Sequence, residues 1–294
     1  MKKEIIFDDK QKVMNITLEE LQATADYVGE KKHEISHHKI FSDMMMDLQS
    51  RGFKAKLDQL FISKNGIINP TELQVQRSKD LQSVNDINGI IIRNVIGRIN
   101  IEGKEFDDGD TNQQIAISYN KSGVAMAMGA NVQICSNLSI FGGQMVANYG
   151  QGQMPMMRML EIMGSWIQNM KMVRMRDLAI HKALKAHEID PTTEVDQVIG
   201  NLHRLVEMNI RNSKVVAPLS HSRIHDIQRG MLEHSGEMAT AYDFFMAATN
   251  VSTHQDIIEN RLPNTSALGL YFQKRYGIDD IIEDVAPVEE VTVT

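Results

Sequence analysis

The chain has 294 residues, of which 42% are apolar and 23% are charged, and these are the proportions of a globular protein. No apolar run approaches the roughly 18 residues that a membrane helix needs. The charged residues close to Met1 leave no room for the apolar core of a signal peptide. The single cysteine, Cys135, excludes an internal disulfide framework and favours a reducing compartment. We therefore expect a cytoplasmic protein.

The net charge of −7 is concentrated at the end of the chain. Residues 277–294 hold six acidic residues and no lysine or arginine, which leaves a net charge of −1 for the rest. Acidic segments of this kind are often solvated and can dock on a partner or compete for a basic groove. We predict that residues 277–294 form a disordered acidic tail.

Residues 1–52 are predicted to be an N-terminal helical segment. A capping-box sequence begins at Thr17, and apolar residues then recur at helical spacing as far as Val28. Gly29 is expected to end this first helix. A second amphipathic stretch covers residues 35–48, and Gly52 closes it.

Residues 53–148 favour β-strands. Isoleucine-rich runs are separated by turn sequences, and Ile115, Ile117 and Tyr119 alternate with polar or small residues. This alternation predicts an antiparallel, hairpin-rich sheet with its isoleucines on one buried face and polar residues on the other.

Residues 149–276 favour helices, because the pattern becomes helical after Gly142 and Gly143. A long amphipathic helix is predicted over residues 156–187. Further helices are predicted over residues 195–211, 220–234, 240–249 and 264–276. The predicted fold class is therefore α+β, with N-terminal helices, a central antiparallel sheet and a mostly α-helical C-terminal half.

One sequence matches a known metal motif. His33, Glu34 and His37 form an H-E-x-x-H sequence, which on a helix can hold zinc and activate a water molecule. Lysines on both sides raise the electrostatic cost of a dication, and no helix with a third ligand follows. We favour a solvated helix face, with a zinc hydrolase as the enzymatic alternative.

The remaining motifs indicate structure rather than chemistry. The acidic residues at 107–112 lack the ligand spacing of a calcium-binding loop and suit a hairpin turn. Cys135 precedes Ser136 and Asn137, which suit a helix N-cap, although a helix N-terminus could also activate a thiol. No glycine-rich sequence has the spacing of a nucleotide-binding loop. We predict no catalytic residue, no metal and no cofactor.

Basic residues in the helical half leave nucleic-acid binding open. Arg174, Lys182 and Lys185 could line part of one helix face and follow a phosphate backbone. Acidic residues are interleaved with these bases, and only 5% of the chain is aromatic, which leaves few rings for base stacking. A solvated face is the other interpretation.

Two stretches resemble a family of phage/plasmid-like proteins of unknown function. Residues 132–138 resemble a strand that ends in a Cys-Ser/Asn-Asn-Gly-Leu-like signature, and residues 240–249 resemble a Thr-Ala-Trp-x-x-Tyr-Asn-Ala-x-Thr helix. The residues that carry the resemblance are Cys135, Ser136, Asn137, Thr240, Tyr242, Asp243 and Thr249. This chain has Tyr242 in place of the tryptophan, and Leu138 directly follows Asn137. The resemblance covers roughly residues 90–276.

The resemblance implies a phage or another mobile element as the source, with no activity assigned. With 20 methionines, the chain also has many flexible apolar side chains suited to an adaptable interface. We therefore expect a non-catalytic accessory protein that binds a macromolecular partner, such as a host-defence or replication protein, and forms a homo-oligomer. The alternative is a single-stranded DNA-binding or annealing protein with an acidic regulatory tail.

Overall fold

The computed structural model describes residues 5–6, 13–26, 36–63, 67–68, 83–84, 91–92, 94–107, 109, 111–120, 123–132, 140–149, 153–211, 219–255 and 258–278. The helices in these ranges are α1 (Leu18–Gln22), α2 (His37–Ser50), α3 (Gln153–Gln168), α4 (Met170–Ala186), α5 (Pro191–Arg211), α6 (His221–His234), α7 (Ala241–Gln255) and α8 (Ile258–Arg275). The strands are β1 (Ile5–Ile6), β2 (Val13–Asn15), β3 (Ala25–Asp26), β4 (Lys54–Ser63), β5 (Ile67–Ile68), β6 (Ser83–Val84), β7 (Ile91–Ile92), β8 (Val95–Glu102), β9 (Thr111–Asn120), β10 (Gly123–Val132) and β11 (Ile140–Tyr149).

Six strands form the main sheet, in the order β11-β10-β9-β8-β4-β2. Every neighbouring pair is antiparallel, and the four strands from β8 to β11 follow one another along the chain. Strands β1 and β6 form a separate pair, and β3, β7 and β5 form a small mixed sheet. The α+β fold class and the antiparallel central sheet are thus confirmed.

Both faces of the main sheet are buried at β9: the polar residues predicted opposite the isoleucines do lie there, but they are buried as well. Ile115, Ile117 and Tyr119 pack in a large apolar cluster on one face, while Ala116 packs with alanines of β10 on the other. Helix α8 contacts all four strands from β8 to β11 and adds no described residue to the large cluster. It therefore crosses the alanine face, where small side chains allow a helix to approach closely.

Two large apolar clusters divide the described residues, and they meet within α4. The first combines α1, α2, the main sheet, α3 and the start of α4, and it ends along the chain at Val173. The second runs from Ile180 to Ile278 and combines the rest of α4 with α5, α6, α7 and α8. Helix α3 and the start of α4 therefore pack with the sheet, whereas the sequence grouped residues 149–276 as one helical region.

Three predicted elements differ from the structure. Helix α1 keeps the Thr17 capping box but ends at Gln22, because the chain then pairs with β7 as strand β3. Gly142 and Gly143 lie within strand β11, at a register shift of its pairing with β10, an irregularity that glycine suits. The long helix predicted over residues 156–187 is interrupted at Asn169, whose side-chain amide donates to the Ser165 carbonyl.

Helix α8 ends in a Schellman motif that fixes the last described residues. Gly277 has a φ of 65°, and its N–H donates to the Lys274 carbonyl. The Ile278 N–H donates to the Gln273 carbonyl at 2.9 Å, and the Ile278 side chain is buried in the second cluster. The packed chain therefore extends two residues into the predicted tail. Residues 279–294 lie outside the described residues.

The packing at Gly97 in β8 generates a stability prediction. A Cβ at this position would lie 2.8 Å from Leu60 Cδ1 and closer still to the Phe41 ring. Both neighbours are buried, so Gly97→Ala is expected to lower the free energy of unfolding by about 1–3 kcal/mol through overpacking. Denaturant unfolding followed by circular dichroism measures this change.

Gly200 provides the matched control, because it is exposed within α5 and, beyond its own helical turn, no described atom lies within 4 Å of the position that an added methyl group would take. Gly200→Ala is expected to raise the free energy of unfolding by up to about 1 kcal/mol, because alanine loses less entropy in a helix. Equal effects of the two substitutions would contradict the packing described for β8.

Candidate functional site

Helix α4 turns three polar side chains toward the interior of the protein. Arg174, Asp177 and His181 have spacings of three and four residues, which place them on one helix face, and all three are buried. Arg174 Nη2 donates to the Thr111 carbonyl at 3.0 Å, and Asp177 Oδ2 accepts from the Ala130 N–H at 2.8 Å. These contacts attach α4 to one end of β9 and to β10.

Asp177 is the acidic residue of this group, and its carboxyl group is completely buried. Burial raises the pKa of its carboxyl well above the ordinary value. The Ala130 N–H and the charges of Arg176 and Arg174 oppose that shift without cancelling it. A buried carboxyl group held by one backbone donor and flanked by arginines is suited to fixing a helix on a sheet.

The three basic residues singled out in the sequence do not form one exposed face. Arg174 is only 4% exposed and points to the sheet, so it is not available to a phosphate backbone. Lys182 and Lys185, by contrast, are exposed near the C-terminal end of α4. Lys185 Nζ lies 5.1 Å from the centre of the Tyr242 ring, a cation–π contact between α4 and α7.

The H-E-x-x-H sequence does not lie on a single helix. Helix α2 begins at His37, and Ser36 is its N-cap with an extended backbone, so the helical i, i+4 relationship with His33 is broken. His33 and Glu34 lie outside the described residues. The His37 side chain is buried, contrary to the solvated face we favoured, and its Nε2 donates to the Ile92 carbonyl at 2.8 Å.

The described residues of the family-like motifs build and pack helix α7. Thr240 and Asp243 cap its start, since Asp243 Oδ2 accepts from the Thr240 N–H at 3.0 Å and Thr240 Oγ1 accepts from the Asp243 N–H. Thr249 is buried and donates to the Met246 carbonyl. The Tyr242 ring meets the edge of His181 at 4.8 Å. Cys135, Ser136 and Asn137 lie outside the described residues, and the next element that the structure describes is strand β11, whereas the sequence predicted a helix.

A polar contact that no sequence pattern predicted joins α5 to the end of α8. Arg275 Nε donates to Glu194 Oε1 at 2.6 Å, and the Tyr276 hydroxyl donates to the same oxygen at 2.7 Å. Burial alone would raise the pKa of Glu194, but the hydrogen bonds from Arg275 and Tyr276 hold it below the ordinary value. This arrangement is a structural ion pair between two helices separated by about 80 positions in sequence.

No cation site is already assembled in the described part of the chain. There, no three histidine, cysteine, aspartate or glutamate side chains are arranged to hold a metal ion. In the acidic loop, Asp107 Oδ1 accepts from the Gly109 N–H, as expected of a hairpin turn. Within the described ranges, no helix is both long and apolar enough to cross a bilayer.

Comparisons with protein-family models, with curated proteins and with solved structures found no match to this chain. The resemblance to phage/plasmid-like proteins therefore remains a prediction from residues 132–138 and 240–249.

The buried carboxyl group of Asp177 predicts a characteristic pH dependence of stability. Asp177→Asn keeps an oxygen for the Ala130 N–H and removes the titrating group. In the wild type, the folded state holds this proton more tightly than the unfolded chain, so stability is highest below the unfolded pKa of about 3.9 and falls as pH rises through the folded pKa. The variant lacks this decline.

Guanidinium unfolding of both proteins between pH 4 and pH 8 tests the prediction. We expect the difference in free energy of unfolding to move in favour of the variant as pH rises. It should change by about 1.4 kcal/mol for each pH unit by which the folded pKa exceeds the unfolded one. A difference that does not vary with pH would show that Asp177 is not held protonated by its surroundings.

Proposed function

We propose that this chain is a non-catalytic protein that acts by binding a protein partner through an exposed methionine surface on α4, and that it forms a homo-oligomer through this surface. The methionine surface consists of Met172 and Met175, which are 37% and 60% exposed. It lies on the opposite side of α4 from Arg174 and Asp177.

The observation that carries this proposal is the pairing of the two methionines. The strongly exposed large apolar side chains among the described residues are Met46, Met172, Met175, Leu232 and Leu270. Within this set, Met172 and Met175 alone are neighbours on one helix face, at a spacing of three residues. Flexible thioethers adapt to different partner surfaces, which is why methionine is frequent at adaptable interfaces.

The surroundings of the methionine surface also favour a contact between proteins. Lys171 and Lys182 lie beside it on the exposed side of α4, so an apolar centre has charged residues at its edges. Protein interfaces commonly combine an apolar core with a polar rim. The buried face of α4 is fixed to the sheet by Arg174 and Asp177, so the surface is presented on a held helix.

The setting of this function rests on the family resemblance. Because residues 132–138 and 240–249 resemble phage/plasmid-like proteins, we propose an accessory protein of a phage or another mobile element that works in the host cytoplasm. A host-defence or replication protein would then be the partner, beside the second copy of this chain.

Light scattering coupled to size-exclusion chromatography tests the proposed self-association. We expect the wild type to be a homo-oligomer and the double variant Met172→Glu/Met175→Glu to dissociate. Burying each methionine stabilises an interface by roughly 1.5 kcal/mol or more, so the dissociation constant should rise about a hundredfold.

Met46 on α2 gives the matched control, because it is 59% exposed and belongs to a different surface. Met46→Glu should leave the oligomeric state unchanged. A monomeric wild type at high concentration, or equal effects of the control and the double variant, would contradict the assignment to α4.

Single-stranded DNA binding is the second candidate, and Lys182 and Lys185 are the described residues that favour it. Both are exposed on α4, and Lys185 contacts the Tyr242 ring. If this function holds, oligonucleotide binding in a gel shift should weaken as salt rises, and Lys182→Ala/Lys185→Ala should bind more weakly at low salt. No shift at low salt, with or without residues after Ile278, would eliminate it.

A further inference from the structure

Three histidines from two helices lie together on the surface of the helical half. His203 is half-buried on α5, and His221 and His225 are exposed in the first turns of α6. His203 Nδ1 lies 3.1 Å from His221 Nδ1, and the two rings are stacked with centroids 5.3 Å apart. The His225 ring meets the His203 ring edge-on at 5.4 Å. We call this set the histidine cluster.

The separation of the two Nδ1 atoms fits chelation of one ion. Nitrogen ligands bind Zn²⁺ at about 2.0–2.1 Å in tetrahedral geometry, which places two such nitrogens about 3.3 Å apart. The observed 3.1 Å is close to that value. The same distance also fits one N–H···N hydrogen bond between the rings, which is the metal-free explanation of the contact.

The third histidine is placed where a further ligand is needed. His221 and His225 are four residues apart on α6, and histidines at this spacing share a helix face and can bind one metal ion. No three described side chains already surround a single point, so His225 has to rotate toward the ion. It is exposed, and side chains at the surface change rotamer readily.

Charged side chains near the histidine cluster affect the electrostatic cost of binding a dication there. Glu207 lies four residues after His203 on α5, and its negative charge acts on the His203 ring. Arg223 lies between the two α6 histidines in sequence, and its guanidinium pairs with Asp226 at 3.7 Å. The nearest arginine on α6 is therefore balanced by an acid, and Glu207 adds a negative charge on α5, one turn after His203.

From this geometry we propose that the histidine cluster is a binding site for a divalent transition-metal ion of the Zn²⁺ class. His203 and His221 are its primary ligands, and His225 is the third. Imidazole nitrogen is a preferred ligand for zinc, nickel and copper, whereas calcium and magnesium prefer oxygen. An ion bound here would join α5 to α6 in addition to their apolar contacts.

Metal titration of the untagged full-length chain tests the proposal. Zn²⁺, and Ni²⁺ in a parallel experiment, are added at pH 7.5, where imidazole is largely neutral. Competition with a chromophoric chelator gives the stoichiometry and the affinity. We expect one ion per chain and at least a tenfold loss of affinity in His203→Asn and in His221→Asn. His225→Asn should lose affinity as well, because it removes the third ligand.

His234→Asn is the control, because His234 is a histidine at the end of the same helix and its Nδ1 faces Glu237 at 3.5 Å. This variant should bind metal as the wild type does. Circular dichroism of each variant separates loss of a ligand from loss of fold. Absence of stoichiometric binding by the folded wild type, or unchanged affinity in folded His203→Asn and His221→Asn, overturns the proposal and leaves the hydrogen bond as the explanation.

Discussion

The hydrogen bond from the Ala130 N–H to the Asp177 carboxyl group is the constraint on which the position of α4 depends. Removing a carboxylate from water costs several kcal/mol, so a carboxyl group in this place needs a donor, a proton or a nearby cation. The structure supplies the Ala130 donor, raises the pKa of the acid, and places Arg174 one helical turn away with its own bond to Thr111. With its polar face held in this way, α4 presents its opposite side, including Met172 and Met175, to the outside.

Local sequence patterns correctly predicted those elements whose tertiary contacts favour the same secondary structure. The alternation around Ile117 predicted β9, and the capping box at Thr17 predicted the start of α1. The predictions were wrong where contacts with a segment far away in the sequence determine the local structure or its burial. Gly142 and Gly143 favour a break in the chain, but the residues on both sides of them pair with β10, so the glycines lie within strand β11 at a register shift. The polar face expected for the sheet is present at β9 but buried, because α8, more than a hundred residues later, crosses it.

The candidate sites were likewise hard to predict from local sequence patterns, because tertiary packing determines which side chains are buried or brought together. The spacing of Arg174, Lys182 and Lys185 indicated a shared helix face, yet periodicity cannot tell which bases turn toward the sheet, and Arg174 does. The histidine cluster was not predicted either. His221 and His225 have a recognisable spacing, but His203 comes from another helix, and only the packing of α5 against α6 brings its ring to His221. By contrast, the H-E-x-x-H sequence was visible at once, and the N-cap at Ser36 interrupts it.

Helix α4 contributes residues to both apolar clusters, and this couples the unfolding of one cluster to that of the other. Val173 belongs to the sheet cluster and Ile180 to the helical cluster, so neither cluster can come apart without disturbing a helix that the other one holds. Separate domains joined by a linker would melt one after the other, whereas a shared helix couples them into one cooperative unit. The amide hydrogens in the middle of α4 can exchange with solvent only in the rare events that open both clusters, which places this helix at the high-protection end of the molecule.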